Sequence, residues 1–406
     1  MPPKKTAPTK PSAGPTALDK ARSFLSAQKN SSITKDTFVQ VDENEHRESL
    51  PHFSSGSIII DFLIGGKPNR YGVMPCPGLP RGRVVQVYGQ PSAGKTTFAL
   101  TASASIIKQG GTVCYIDYEN AISIPYAKAL GVPVEDSSRF ILAQPMTVEE
   151  GADILNAMAM AGVDLIVVDS VGEGVFAAER AQQFDKDAKG AGLGAHARYW
   201  SENLPIIRGY IGKSQSCLLG ISQVRTNIKA SSGPGELHMA RGGVAWQFNS
   251  DVRIYLRVVM KEKSRVYDAL THTNTDKTVA TTVKAEIKKS RISGSQGLDA
   301  DFHIRFGEGI DDAQSIIDVA TAHGIIKKGG AWYTWERASG TEVRGQGKEA
   351  LRSTLINDPA AWEEMRKVIM TKLAVAANTP QKVVQEDDVV SDLLEIEDPP
   401  AAATED

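Results

Sequence analysis

Residues 83–100 restrict this chain more than any other stretch. Val84, Val85, Val87 and Tyr88 form a short apolar run of the β-branched and aromatic kind that buried strands use. Gly89, Gln90, Pro91, Ser92, Ala93, Gly94, Lys95 and Thr96 follow, spaced as a glycine, four residues, Gly-Lys and a hydroxyl residue, and a helical pattern continues beyond Thr97. Strand, loop and helix in that order curl backbone amides round a phosphate, and a Cβ at Gly94 would block its approach. Lys95 can reach the β- and γ-phosphates, the Thr96 hydroxyl can ligate Mg2+, and the helix directs its positive end at the same anion. The eight residues alone also suit an ordinary glycine-rich turn. The flanking strand and helix argue for the phosphate loop.

The rest of the chain fits round that unit. At 406 residues it exceeds one ordinary domain, and its hydrophobic share of 41% supports a real core. A net charge of -2 excludes a uniformly basic coat for nucleic acid but leaves room for local basic loops. Cys76, Cys114 and Cys217 are far apart, without a Cys-x-x-Cys pair, as expected of reduced, buried thiols in a cytoplasmic protein. No apolar leader opens the sequence and no run approaches membrane-spanning length, so neither secretion nor a membrane is expected.

Residues 1–15 read as a mobile basic arm. In 16–28, Leu18, Ala21, Phe24 and Leu25 share a helical face, which suits either a neighbouring subunit or the chain's own domain. Residues 67–78, rich in Pro and Gly, read as a surface insertion. Strands are expected at 112–117, 140–143, 165–168 and 218–222, with helices at 125–130 and 148–160, an alternation that predicts parallel βαβ units covered on both faces. Strands at 252–259 and 282–287 are expected to be antiparallel at the edge. Beyond Gly309 come short helices at 316–322 and 362–373 around a turn or hairpin at Trp332, Tyr333, Thr334 and Trp335. From Gln385 the chain is acidic and reads as a solvated tail.

Asp169 ends the apolar run of Leu165, Ile166, Val167 and Val168, where it can orient Mg2+ beside Thr96 or simply cap a helix. Glu119, two residues past Asp117, is the candidate for positioning water, or a solvated loop acid.

Four blocks now make a family visible. Tyr115-Ile116-Asp117-Tyr118-Glu119-Asn120-Ala121, Pro125 to Val132, Ile166 to Val171, and Phe306-Gly307-Glu308-Gly309-Ile310 resemble the RecA family of strand-exchange recombinases. The likeness runs from about Ser55 to about Leu373. It implies an α/β fold: a RecA-like P-loop ATPase core with a mostly parallel sheet, an N-terminal helix and a small C-terminal α/β domain. The implied layout is 1–50 arm and polymerisation helix, 51–310 core, 311–378 small domain and 379–406 acidic tail.

By the same resemblance the cofactors are ATP and Mg2+. Lys95, Thr96 and Asp169 serve phosphate and metal, within a nucleotide site running from Gly89 to Thr97. Glu119 is the catalytic glutamate, Tyr126 stacks on adenine, and Gln223 senses the γ-phosphate. Lys289 and Arg291 reach the neighbouring subunit's nucleotide, and their Lys-Ser-Arg form is similar to that of the phage UvsX recombinases. Two loops, 184–198 and 225–243, would hold DNA: Arg198, Ser201, Arg225, Lys229, Arg241, Gly242 and Gly243 on the backbone, with Leu193 and Ile228 wedged between bases. Without aromatic stacking platforms, affinity should come from phosphates and fall with salt.

The resemblance implies a DNA-dependent ATPase that forms filaments on single-stranded DNA and exchanges it with a homologous duplex, aided by single-strand-binding and loader proteins in a bacterial or phage-infected cell. A ring helicase and a non-hydrolysing ATP switch are the alternatives on such a core. Ser123, standing where the family has an acid near adenine, implies loosened base preference. Phe248 resembles an interface phenylalanine and would equally serve as core.

Overall fold

Period-two alternation along the apolar strands divides the core into two layers. The computed structural model describes residues 49–69, 71–184, 194–226, 238–240, 244–268 and 272–378. The expected arm, the helix at 16–28 and the acidic tail lie outside the described residues. The chain enters through β1 (His52–Phe53), α1 (Ile58–Gly65) and β2 (Leu79–Pro80), then β3 (Arg83–Gly89), α2 (Lys95–Lys108), β4 (Val113–Asp117) and α3 (Ile124–Ala129). There follow β5 (Phe140–Ala143), α4 (Val148–Met160), β6 (Leu165–Asp169), α5 (Ala177–Phe184), α6 (Ala195–Ser214), β7 (Cys217–Thr226), β8 (His238–Ala240) and α7 (Val244–Asn249). The second half comprises β9 (Val252–Asp268), β10 (Thr273–Ser290), β11 (Asp299–Arg305), β12 (Gly309–Asp311), α8 (Asp312–Ala322), β13 (Ile326–Gly329), β14 (Trp332–Glu336), β15 (Glu342–Gln346), α9 (Lys348–Asn357) and α10 (Pro359–Asn378).

Among the described residues the main sheet has ten strands, ordered β12-β11-β10-β9-β3-β7-β6-β4-β5, with β8 paired to β7. The strands β9, β3, β7, β6, β4 and β5 are parallel, and β10, β11 and β12 alternate in direction beyond them. The expectation for 252–259 is therefore corrected: β9 runs parallel to β3, with Val85 opposite Val252 and Gly89 opposite Leu256. The chain crosses from β7 over β3 by way of α7, the kind of long connection a parallel neighbour needs. Inversion begins only at β10. Both strands are also much longer than the sequence suggests, because Met260, Lys261, Glu262 and Lys263 look like loop but pair with β10.

On one face of the sheet Val85, Val87, Tyr115, Leu165, Val167 and Leu219 pack under α1 and α2. On the other, Val84, Ile116, Ile166, Val168 and Leu218 meet Leu155 of α4, Trp200 and Leu204 of α6 and Trp246 of α7. This double cover is what continuous apolar strands require. It also brings the carboxyl ends of β3, β4, β6 and β7 to one edge, where an open α/β sheet places its ligands.

All described residues belong to one compact unit. Trp332 to Trp335, expected as a turn or hairpin, form a strand of the hairpin β13–β14, turned at Gly330 and Ala331, and the middle strand of the antiparallel sheet β13-β14-β15. Alternation sets its faces: Tyr333 and Trp335 point inward while Trp332 stays exposed. At the junction, the Asp312 carboxylate accepts from the Ile58 amide at 3.0 and 3.1 Å, which caps α1 from 254 residues away. Every residue of α1 is buried.

The three cysteines are free and buried, and burial pushes the Cys76 and Cys114 thiols up to about 12. Among the described residues no helix is long and apolar enough to cross a membrane.

Candidate active site

The loop after β3 has the backbone the sequence demands. Gly94 lies in the left-handed region at φ 84°, and a Cβ there would meet Ile304 Cδ1 at 2.2 Å; at Gly89 it would meet the Leu256 carbonyl oxygen at 2.2 Å. The reason for Gly94 thus lies partly in its own neighbours, beyond the approach of a phosphate. Gln90, Pro91, Ser92 and Thr96 are exposed, whereas Ala93 and Lys95 are buried. No side chain caps α2, so its first amides are available to an anion. Lys95 Nζ donates to the carbonyls of Gly89 at 3.1 Å and Gln90 at 2.8 Å. Burial lowers its pKa, opposed by the carboxylates of Asp169 and Glu119.

Asp169 is the node of the site. Its Oδ2 accepts from Thr96 Oγ1 at 2.9 Å and from the Tyr115 hydroxyl at 2.6 Å. Burial raises its pKa against those two hydrogen bonds. The next residue, Ser170, donates from Oγ to Glu119 Oε1 at 2.9 Å, and Gln223 Nε2 donates to the same oxygen at 3.2 Å. Asp117 organises the turn that carries Glu119, accepting from the amides of Glu119 at 3.2 Å and Ile122 at 3.1 Å. Glu119, Asp169, Gln223, Lys95 and Thr96 therefore converge as expected.

A cavity of about 440 Å³ opens beside the loop, lined by Lys95, Thr97, Tyr126, Thr281, Ile304 and Phe306. Thr97 Oγ1 and the Tyr126 hydroxyl lie 3.0 Å apart. Phe306, 57% exposed, presents a second aromatic ring to this space. Sequence reasoning missed it as a site residue, although the block Phe306-Gly307-Glu308-Gly309 carried the signal. Ser123 caps α3, its side chain accepting from the Tyr126 amide at 3.4 Å. A larger cleft of about 910 Å³, lined in part by Tyr118, Glu119, Met146, Val175 and Gln223, lies on the other side of the glutamate.

Lys289 and Arg291 are elsewhere. Lys289 pairs opposite Arg253, and Arg253 opposite Gln86, three residues before Gly89. At about 3.3 Å per residue that is about 10 Å towards the opposite edge of the sheet. Lys289 Nζ donates to the carbonyls of Gln247 at 2.8 Å and Phe248 at 3.0 Å. Burial, then the cations Arg291 and Arg253, push its pKa down to about 8. Arg291 is exposed, and Phe248 is 65% exposed, which rules out the core role for that ring.

Of the expected DNA contacts, Arg198 and Ser201 are exposed, three residues apart on α6, with Ser201 Oγ donating to the Ala197 carbonyl at 2.6 Å. Arg225, expected to open a loop, sits in β7 opposite Met239 of β8, because the strand runs on to Thr226. Leu193, Ile228, Lys229, Arg241, Gly242 and Gly243 lie outside the described residues.

The donors nearest Lys95 for a cation are the Thr96 hydroxyl and the Asp169 carboxylate, oxygen ligands that suit a hard divalent ion. Among the described residues no group of three or more His, Cys, Asp or Glu could hold a metal by itself. A cation here would lean on phosphate oxygens as well, as Mg2+ does.

Residues 21–311 match the family model described as the RecA N-terminal domain, and residues 314–374 that of the RecA C-terminal domain. Protein RecA of Laribacter hongkongensis is 33% identical over 361 residues, covering 89% of this chain and 92% of that protein. Protein RecA of Limosilactobacillus reuteri is 35% identical over 324 residues, 80% of this chain and 79% of that protein. Protein RecA of Gloeobacter violaceus is 32% identical over 394 residues, 96% of each. A crystal structure of the RadB recombinase aligns with a TM-score of 0.43 at 23% identity, covering 64% of this chain and 98% of that one. At that level it adds nothing to the family assignment.

Proposed function

The chain belongs to the RecA family, and from that premise we propose a residue-level account of how it works. It is a DNA-dependent ATPase of homologous recombination and repair that binds DNA and assembles into filaments. We assign the nucleotide as ATP, the cation as Mg2+, and the DNA as a single strand that is paired with a homologous duplex. Single-strand-binding and loader proteins would act beside it, in the cytoplasm of a bacterial or phage-infected cell. A division into arm, core, small domain and tail at about residues 50, 310 and 378 suits this reading.

Lys95 turns from its two loop carbonyls to the β- and γ-phosphates, and the amides leading α2 cradle them. Thr96 and Asp169 would hold Mg2+, which when bound would neutralise charge on the phosphate oxygens. Tyr126 and Phe306 flank the base. Ser123, engaged as a helix cap, contributes no charge to base selection. Glu119 accepts a proton from the attacking water with one oxygen while Ser170 and Gln223 restrain the other. Gln223 stands two residues before the expected second DNA loop, so a γ-phosphate that draws its amide away from Glu119 alters the loop and the catalytic carboxylate together.

The observation that carries this reading is the separation within one chain: loop, glutamate and aspartate at one edge, Lys289 and Arg291 towards the other. A second copy placed head to tail would bring the two cations to the first copy's γ-phosphate, like an arginine finger supplied in trans. The exposed Phe248, whose carbonyl holds Lys289, suits the same contact. ATPase rates with and without single-stranded DNA, with negative-stain imaging, test it. Stimulated turnover and filaments are expected, and full-speed hydrolysis by dispersed single copies, indifferent to DNA, would overturn it.

A further inference from the structure

We propose that Tyr115 is a positioning residue for the cation side of the nucleotide site, its buried hydroxyl fixing the Asp169 carboxylate in the attitude it presents to a divalent ion. The proposal rests on the assignment of Thr96 and Asp169 to that ion. Tyr115 is fully buried, and its hydroxyl lies 2.6 Å from Asp169 Oδ2, the shortest hydrogen bond described for that carboxylate. The register explains how it gets there. Tyr115 stands opposite Val167 in the parallel pair β4–β6, so Asp169 is its diagonal neighbour two residues on, on the same face and within reach of a long aromatic side chain.

The ring alone would satisfy the packing. It sits in the apolar layer under α2, with Phe140 6.4 Å away centroid to centroid, a place where phenylalanine would serve as well. The hydroxyl adds a polar atom to a dry site, and that burial is costly unless it is matched. Its match is the carboxylate.

Thr96 and Tyr115 share Oδ2 but have different tasks. The Thr96 oxygen is the one that would also ligate the ion, so its geometry must serve two partners. Among the described residues the Tyr115 hydroxyl bonds Asp169 alone, and its ring is buried in the apolar layer. It therefore fixes the carboxylate while Thr96 adjusts, the arrangement by which outer residues orient the groups that hold a metal.

The test follows binding of a fluorescent, methylanthraniloyl-labelled ATP to the full-length chain, first in EDTA and then across an Mg2+ titration. Tyr115→Phe keeps the ring and removes the hydroxyl. It is expected to leave affinity in EDTA unchanged and to raise the Mg2+ concentration for half-maximal tightening about tenfold. An unchanged Mg2+ midpoint overturns the proposal. A variant that loses affinity equally with and without Mg2+, or that fails to fold, assigns the hydroxyl to packing and overturns it too. Thr96→Ala separates the two readings: it should lose the Mg2+ response altogether. If it titrates like the wild type, the cation site itself is wrong; if it loses the response while Tyr115→Phe keeps it, only the role of Tyr115 falls.

Discussion

The two ends of β3 carry opposite chemistry. Past Gly89 the edge is rich in acceptors, with Glu119 and Asp169 acting on one buried lysine and Asp117 bracing the turn that carries Glu119. Beside the start of the strand the cations dominate: Arg208, Arg253, Lys289 and Arg291 cluster about Asp251, whose carboxylate binds Arg208 at 3.0 Å. Each end is electrostatically incomplete. An acceptor-rich pocket favours a phosphate only if further positive charge arrives, and at the other end burial, then a surplus of cations, lowers the pKa of Lys289. On the proposed reading the two unlike ends meet when copies of the chain assemble head to tail.

The largest expected effect strikes the acceptor-rich end. Lys95→Ala should reduce ATP hydrolysis to background while leaving the cationic end intact, and ordinary turnover would reject the site. The double variant Lys289→Ala with Arg291→Ala should cost about a thousandfold or more, as removal of an arginine finger does. Mixing these two inactive chains breaks or sharpens the comparison directly. Where the double variant's intact loop meets the Lys95→Ala chain's intact cations, activity should return at about a quarter of junctions in an equal mixture of head-to-tail contacts. No recovery would place both halves of the site in one copy.

Glu119→Gln should lower kcat by about a hundredfold or more with little change in nucleotide affinity, as loss of a general base does. An equal loss of affinity would make Glu119 a binding residue. Phe248→Ala should raise the concentration needed for assembly at least about tenfold, read by light scattering, while the thermal midpoint of the dispersed chain stays put. A fall in that midpoint would return the ring to a packing role.

The smallest effect concerns pH. Burial pushes the Asp312 carboxyl up to about 7, with Asp61 adding to the shift and Arg366 opposing it. Between the unfolded value of about 3.9 and that figure the folded chain holds the proton more tightly, so stability falls as pH rises across the window. Asp312→Asn should remove its share of that slope in thermal melts, leaving that of Asp61, which burial also raises. An unaltered slope would show that the cap of α1 does not titrate there.

The nucleotide edge was legible because its signals are local. A glycine spacing, a terminal Asp169 and a Glu119 two residues past a strand all lie within short stretches of sequence. The contacts that tune those residues were not legible, since Tyr115 reaches Asp169 and Ser170 reaches Glu119 only through the register of β4 on β6. Length failed where polarity misled: β9 and β10 extend through lysine, glutamate and threonine because a two-stranded ribbon can be wet on its faces and still satisfy its backbone. Arg225 looked like loop for the same reason, and pairing with β8 keeps it in a strand.

Helix α1 has no side turned to water, and α8 and α10 supply part of its cover. The C-terminal elements are therefore a lid nailed to the motor rather than a trailer hitched behind it. Cutting the chain after Asp311 would lay bare Ile58, Phe62 and their apolar neighbours and remove the acid that tethers the Ile58 amide. Any attempt to shorten this enzyme to a minimal ATPase must first repaint that surface, or the product will clump before its catalysis can be measured.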